Sequence, residues 1–309
     1  MQTDPLISVI MPCFNAENSI RDSINSALAQ TYRNIELIII DDGSRDGSVK
    51  IIKSLAQSDS RIALLEQGNE GPSAARNAGL RRARGDLIAF LDADDTWAPS
   101  CLAELSAPLN SSIRTSLSYC GWQNLWDVGN DQEPYIPPIY EGQDKNLKLF
   151  TSCRWPIHAA LTRRQCIEKV GGFDEALSSC MDFDLWLKIG TGERIERVAK
   201  VLAYYRHHAG AQITKNAVTI ANNHLRVQQN FMKMFPERLK MNKRSDIRRA
   251  MYEPLRNVAF RYYWQRDLES ARPLFKKMIY NGYASITDWK YLLPSFLPLG
   301  LHKKLLRLR

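Results

Sequence analysis

Two short runs, Leu6-Ile-Ser-Val-Ile-Met11 and Ile35-Glu-Leu-Ile-Ile-Ile40, are apolar and β-branched almost without interruption. A strand with one face in water alternates apolar and polar residues. Unbroken runs therefore belong to strands covered on both faces, the habit of parallel sheets. Between the two, Ile20, Ile24, Ala27 and Leu28 fall at helical spacing, with Asn15 or Glu17 starting the helix. The alternation continues with a helix over 46–57, a strand over 61–66, a helix over 73–84 and a strand over 86–91. Alternating strands and helices predict right-handed βαβ units on a mostly parallel sheet, an α/β fold.

Beyond residue 95 the rhythm changes. Strands are predicted over 115–122, 157–161 and 198–206, and helices over 164–170, ended by Gly171-Gly172, and over 182–189. The stretch 127–142 is polar and carries Pro134, Pro137 and Pro138, which marks a long loop suited to binding. From 216 onward the pattern is helical, and Ala259, Tyr263, Asp267, Ala271, Leu274 and Phe275 resemble one unit of a helical-hairpin repeat. A length of 309 residues accommodates one large domain and an appendage.

Charge separates the same two regions. Residues 1–220 carry 23 Lys+Arg against 27 Asp+Glu, net −4, whereas 221–309 carry 19 against 6, net +13. The basic tail suits phosphates on a membrane surface, on a lipid-linked substrate or in nucleic acid, or it is a solvated helical face. The six cysteines, Cys13, Cys101, Cys120, Cys153, Cys166 and Cys180, have neither CxxC nor zinc-site spacing and read as reduced core thiols. No basic leader precedes an apolar stretch at the N-terminus, and the longest apolar segment, 291–301, is broken by Pro294 and Pro298. A cytoplasmic protein is predicted, with any membrane contact peripheral.

Asp92, Asp94 and Asp95 close the strand ending at Leu91. Carboxylates this close repel one another unless a hard cation screens them, and oxygen ligands suit Mg²⁺ or Mn²⁺. The competing reading is a solvated turn in which Asp95 caps a helix opened by Trp97 and Pro99. A strand end, where open α/β sheets collect ligands, favours the ion and a metal-bound diphosphate. The first two strands end in Pro12-Cys-Phe-Asn15 and Asp41-Asp42-Gly-Ser44. In adjacent parallel strands these tips meet, so Phe14 can lie against a flat base while Asp42 accepts its ring N–H, an arrangement favouring uracil. The Asp41-Asp42-Gly-Ser run also reads as a plain turn. Gly71 and Pro72 turn the chain into a helix presenting Ser73, Arg76 and Asn77, where Arg76 faces a phosphate or base, or forms a surface ion pair.

Ser8-Val-Ile-Met-Pro-Cys-Phe-Asn15, Ile40-Asp-Asp-Gly-Ser44, Asn69-x-Gly-x-Ser-x-Ala-Arg-Asn77 and Asp92-Ala-Asp-Asp95 occur in an order and spacing that resembles glycosyltransferase family 2. The resemblance continues through Gly171-Gly-Phe-Asp-Glu175, Met181-Asp-Phe-Asp-Leu-Trp-Leu187 and Tyr205-Arg-His-His208. It implies a GT-A fold with a nucleotide-binding half over about 1–97, an acceptor-binding half over 98–215, and a basic helical C-terminal appendage over 216–309. It implies inverting transfer of a sugar from a nucleotide donor, UDP-linked, to a saccharide or polyprenyl-linked acceptor, with Mn²⁺ or Mg²⁺ on the diphosphate. By this resemblance Asp182 is the general base; Pro12, Phe14, Asn15, Glu17, Asp42, Arg76, Asp92, Arg206 and His208 hold the nucleotide; Asp94, Asp95 and His208 hold the metal. The segment after His208 is expected to close as a lid. Two positions depart from the family pattern: Met181 stands where Glu is common, and Lys188 replaces a frequent Arg. Processive relatives carry Gln-x-x-Arg-Trp; Arg154-Trp155 is present but residue 151 is Thr, which implies one sugar per encounter. A metal-dependent nucleotidyltransferase, disfavoured by the missing Gly-rich phosphate loop, and a non-catalytic module with a basic tail are the alternatives. The tail is expected on the anionic inner membrane surface or packed on protein; nucleic acid is not expected, and the oligomeric state is open.

Overall fold

The computed structural model describes residues 4–126, 131–207, 216–285 and 287–307. The first half alternates as its apolar runs dictate: β1 (Ile7–Cys13), α1 (Ile20–Leu28), β2 (Ile35–Asp41), α2 (Ser48–Ala56), β3 (Ile62–Glu66), α3 (Pro72–Arg82) and β4 (Leu87–Phe90). Every residue of β2 is buried, and of β1 all but Pro12. The pairs β1–β2, β2–β3 and β1–β4 are parallel, with Ile7 opposite Ile35 and Cys13 opposite Asp41, so the tips of β1 and β2 end level. Helix α1 begins at Ile20 after Ser19, beyond both predicted starts, Asn15 and Glu17.

The second half adds β5 (Thr96–Trp97), α4 (Cys101–Ser111), β6 (Thr115–Trp126), α5 (Lys145–Thr151), β7 (Ala160–Arg163), α6 (Arg164–Val170), α7 (Met181–Gly192) and β8 (Arg194–His207). Among the described residues one eight-stranded sheet has the order β3-β2-β1-β4-β7-β6-β8-β5. Pairing is parallel in β6–β8 and antiparallel in β4–β7, β6–β7 and β5–β8, so the sheet is parallel on one side and mixed on the other. Trp97 does not open a helix; it pairs with Ala203 in β5, and its indole N–H donates to the His158 carbonyl at 2.7 Å. The strand predicted over 157–161 is a 3-10 turn, Ile157–Ala159, leading into β7.

One glycine sets the depth of packing. A Cβ at Gly79 would stand 2.5 Å from Ile10 Cγ2 and 2.8 Å from Ile40 Cδ1. The missing side chain lets α3 lie hard against β1 and β2, which fixes where Arg76, one turn earlier, emerges.

The chain divides into two compact units, Met1–Leu149 with Cys153–Gln212, and Phe150–Ser152 with Ile213–Arg309. The second unit is helical: α8 (Ala217–Met234), α9 (Arg244–Trp264), α10 (Leu268–Tyr280), α11 (Trp289–Leu292) and α12 (Leu299–Arg307). Helices α9 and α10 form the hairpin read from the repeat-like spacing, with Ala259, Tyr263, Ala271, Leu274 and Phe275 all buried. Asn216 caps α8 by accepting from Thr219 N–H, and Asp267 caps α10 by accepting from Ser270 N–H, each at 3.0 Å. Buried Gln228 donates to the carbonyls of Phe150 and Ala250, at 2.7 and 3.1 Å. No helix of the described residues is long and apolar enough to cross a membrane.

Candidate active site

Parallel strands deliver β1 and β2 to the same sheet edge, and the loops that follow are stitched together. Asn15 N–H donates to Ser44 Oγ (2.9 Å) and Arg45 N–H to Asn15 Oδ1 (2.8 Å). Glu17 N–H donates to Asp46 Oδ2 (3.0 Å) and Gly47 N–H to Glu17 Oε2 (2.7 Å). The side chains of Asn15 and Glu17 therefore order the rim of the site. Asn15 adopts φ +50°, a left-handed turn tolerated by Asn, and Phe14 beside it is left 48% exposed. Half-buried Pro12 lies within β1, opposite Ile40.

Asp42 is buried, and its carboxylate organises the next loop. It accepts from Gln67 Nε2 (2.9 Å), Glu70 N–H (2.9 Å) and Gly71 N–H (2.8 Å). A carboxylate has about four acceptor sites, so three are filled by the loop that launches α3. All three partners are the protein's own amides.

Arg76, buried on the first turns of α3, is the hub of the site. Nη2 pairs with Asp92 Oδ1, Nη1 lies 3.1 Å from the Met181 sulfur, and the guanidinium sits 5.6 Å from the centre of the Phe173 ring. Phe173 is held by Asn77, whose side chain donates to its carbonyl and accepts from its N–H, both at 3.0 Å. The Ala-Arg-Asn and Gly-Gly-Phe-Asp-Glu motifs, almost one hundred residues apart, are thus one structure.

Asp182 lies in the first turn of α7. Its Oδ1 accepts from Phe183 N–H at 2.8 Å, and Oδ2 lies 3.5 Å from Cys153 Sγ. The residue as a whole is half-buried, while its carboxyl group is enclosed by protein. Burial raises its pKa, against opposition from the Phe183 N–H, the positive charge of Arg76 and the Cys153 thiol, while Asp92 adds to the rise. Further along α7, Asp184 and Lys188 form a buried pair at 2.6 Å.

The acidic motif divides. Asp92 pairs with Arg76, Asp94 is half-buried, and Asp95 turns inward. Asp95 is 1% exposed; its Oδ1 accepts from Arg206 N–H (3.0 Å) and its Oδ2 lies 3.0 Å from His158 Nδ1. Asp95 thus ties the end of β8 to the strand-end turn through Oδ1, with Oδ2 facing His158. Burial alone would lower the pKa of His158, but the charge and hydrogen bond of Asp95, with Asp92 and Asp94 beyond, outweigh it and raise the value. His158 escaped sequence reading because a single histidine after Pro156 has no spacing signal. Arg206 reaches back toward Asp22, Nη1 to Oδ2 3.5 Å, while His208 lies outside the described residues, as do 127–130 of the proline-bearing loop. The rest of that loop returns along β6, with Tyr135 bridged to Trp122. Trp155 and Trp186 are core residues, 1% and 2% exposed. The six cysteines are all free thiols, four buried and Cys153 and Cys180 half-buried.

A βα half carrying paired tips, joined through one sheet to a mixed half that carries the inward acid on α7, is the GT-A glycosyltransferase fold. Staphylococcus aureus TarS in complex with UDP-GlcNAc matches it with TM-score 0.58 and 16% identity, over 89% of this chain and 92% of that one. A mannosyltransferase from Pyrobaculum calidifontis in complex with GDP-Man and Mn²⁺ matches with TM-score 0.59 and 17% identity, over 94% and 79%. The model for glycosyl transferase family 2 matches residues 8–171, and the chain belongs to that family. An uncharacterized glycosyltransferase of Rickettsia prowazekii is 32% identical over 239 residues, 74% of this chain and 72% of that protein. The chain is thus a glycosyltransferase, which sets aside the nucleotidyltransferase and docking-module alternatives.

Proposed function

We propose that the enzyme moves one sugar from a UDP-linked donor to an acceptor hydroxyl with inversion, using Asp182 as general base. Arg76 carries the reading: one guanidinium touches both Asp92 of the acidic motif and Met181, the residue before Asp182. Donor-side acid and base thus border one cluster, as in-line displacement requires. The acceptor O–H proton passes to an Asp182 oxygen as the acceptor oxygen bonds to C1. The bond from C1 to the diphosphate oxygen breaks, and its electron pair leaves on the nucleotide. A carboxylate whose pKa is lifted by burial holds that proton better than an exposed one.

Exposed Phe14 offers a flat face to the base, with Asp42, Asn15 and Glu17 fixing the loops around it. Arg206 is anchored through its amide to Asp95, and the family resemblance supports a phosphate-binding role for Arg206 and His208. The residues fit Mn²⁺ or Mg²⁺ in one specific way. Asp94 and Asp92 supply only hard oxygens, and no group of three metal-ligating side chains exists among the described residues. Such an ion would be held by one or both of these carboxylates, with diphosphate oxygens and water completing its shell. Bound there, it would neutralise the charge gathering on the leaving group.

Thr151 in place of the processive Gln supports single addition. The basic second unit supports an acceptor carried at a membrane, a polyprenyl-linked saccharide used in cell-surface polysaccharide or glycolipid synthesis, with the enzyme peripheral on the inner face. The test is incubation with Mn²⁺, a panel of nucleotide sugars and saccharide acceptors. Release of UDP with a glycosylated product is expected; pyrophosphate release, or silence across the panel, would overturn the reading.

A further inference from the structure

Over residues 299–305 of helix α12 (Leu299–Arg307) the usual order of faces is reversed. Of its residues 299–305, the one buried is His302, at 1% exposure, while Leu301 and Leu305 point outward. In the segment before it Leu292 and Ser295 are buried, while Leu293, Phe296 and Leu297 are exposed. Leu293, Leu297, Leu301 and Leu305 recur every four residues, and with Phe296 they are between 37% and 56% exposed. A helix packed on a protein core buries its leucines and wets its histidine. Five large apolar side chains outward in one short segment call for an apolar surface to receive them.

Charge says which surface. Residues 289–309 contain five basic residues, Lys290, Lys303, Lys304, Arg307 and Arg309, and no Asp or Glu. Exposed Lys303 and Lys304 flank Leu301 and Leu305, and Lys276 stands over the Phe296 ring, Nζ 5.5 Å from its centre. Tyr280, 76% exposed, meets Phe296 edge-on at 6.0 Å. A second copy docking by two-fold symmetry would bring like charge against like. A nucleic-acid strand offers phosphates and bases but nothing apolar enough for a row of leucines. Anionic lipid supplies both an acyl boundary for the leucines and negative headgroups for the lysines.

We propose that the exposed face of Leu293–Leu305 is the element that seats this chain on an anionic lipid surface, with the leucines and Phe296 entering the headgroup boundary. The face gives the lipid-linked acceptor of the proposed function its setting, and it rests on that reading only for its purpose. The test is flotation of the full chain with phosphatidylcholine vesicles, with and without phosphatidylglycerol. Wild type should float with the anionic vesicles and be released by high salt, and it should stay behind with phosphatidylcholine alone. Leu301→Ser with Leu305→Ser, and separately Lys303→Glu with Lys304→Glu, should each lower the bound fraction at least tenfold. UDP release in solution and the thermal transition should be unchanged in both variants. Equal flotation of wild type and variants, or wild type in the bottom fraction, overturns the lipid face even where UDP release continues. So does sedimentation of wild type as a dimer that the leucine variants dissolve. Loss of UDP release in wild type would instead strike the transferase reading and leave flotation standing.

Discussion

The two units use polar groups in opposite ways. In the sheet unit charged side chains are taken inside and matched one to another: Arg76 with Asp92, Asp95 with His158, Asp184 with Lys188. In the helical unit aromatic rings fill the interior, as in Phe260 against Phe275 at 5.1 Å, and apart from buried Asp288, paired with Arg256 at 2.7 Å, most charge stays on the surface. Buried charges cost desolvation and return it only through paired geometry, so the sheet unit is stiff where its polar groups meet and vulnerable to losing any one of them. The helical unit is held by apolar area and caps, whose loss is graded. Substitutions that separate chemistry from stability belong in the first, and those that tune stability alone in the second.

The comparison is sharpest at Asp182. Asp182→Asn keeps the size and removes the proton acceptor. Transfer should fall by about 10³-fold, within the range for a lost general base, while calorimetric UDP affinity stays as in wild type. Undiminished turnover would mean that the base lies elsewhere. Asp94 and Asp95, one residue apart, should then part company. Asp94→Ala should abolish the gain in UDP affinity on adding Mn²⁺, with little change in urea midpoint. Asp95→Ala should lower unfolding stability by about 2–3 kcal/mol, because it leaves the Arg206 amide and His158 without their buried partner. Identical behaviour of the two variants in both measurements would refute the division drawn between them.

That division also marks where the sequence ceased to be readable. The first half was legible because Leu6–Met11 and Ile35–Ile40 have no polar face to confuse strand with helix. The acidic motif was legible as a cluster, but which carboxylate turns inward depends on His158 and the Arg206 amide, both far away in sequence. Likewise β5 is two residues long, and only β8 across from it makes a strand of Thr96–Trp97. The 3-10 turn at Ile157–Ala159 follows Pro156, and its apolar residues look like strand because tertiary burial, not periodicity, selects them. Met181 was visible as a departure from pattern. Its meaning needed Arg76: the thioether accepts weakly from that guanidinium, 3.1 Å away.

Asp184→Ala tests the cost of broken pairs away from the site. Lys188 would be left as a buried charge without its partner 2.6 Å away, a loss of about 3–5 kcal/mol. Urea unfolding followed by tryptophan emission should show the loss, and Asp184→Asn should recover part of it by hydrogen bonding. A midpoint like that of wild type would remove the pair from the account of stiffness. A subtler effect is expected in the pH profile. Asp182 acts deprotonated, so kcat/KM should fall as pH drops through a pKa that burial raises from the ordinary aspartate value. Arg76 pulls that value down, so Arg76→Gln should move the acid limb to higher pH, separately from any loss of donor affinity. An acid limb that stays put, or moves lower, would show that Arg76 does not govern the base.

The smallest effect is expected in the helical unit, at the cap of α10. Asp267 accepts from Ser270 N–H at 3.0 Å and from Ser270 Oγ at 2.7 Å. These bonds hold its pKa below the ordinary carboxylate value, with burial acting weakly the other way. A depressed folded-state value stabilises the fold above the unfolded pKa, and the contribution fades as pH falls through the folded one. Asp267→Ala should therefore cost about 1 kcal/mol at neutral pH and progressively less toward the acid end, while Asp267→Asn, a competent cap, should cost less than half of that. Since the cap belongs wholly to the helical unit, UDP release should not change. A loss of turnover in Asp267→Ala as large as its loss of stability would mean that the two units respond as one, and that chemistry and graded helical packing are not separable in this chain.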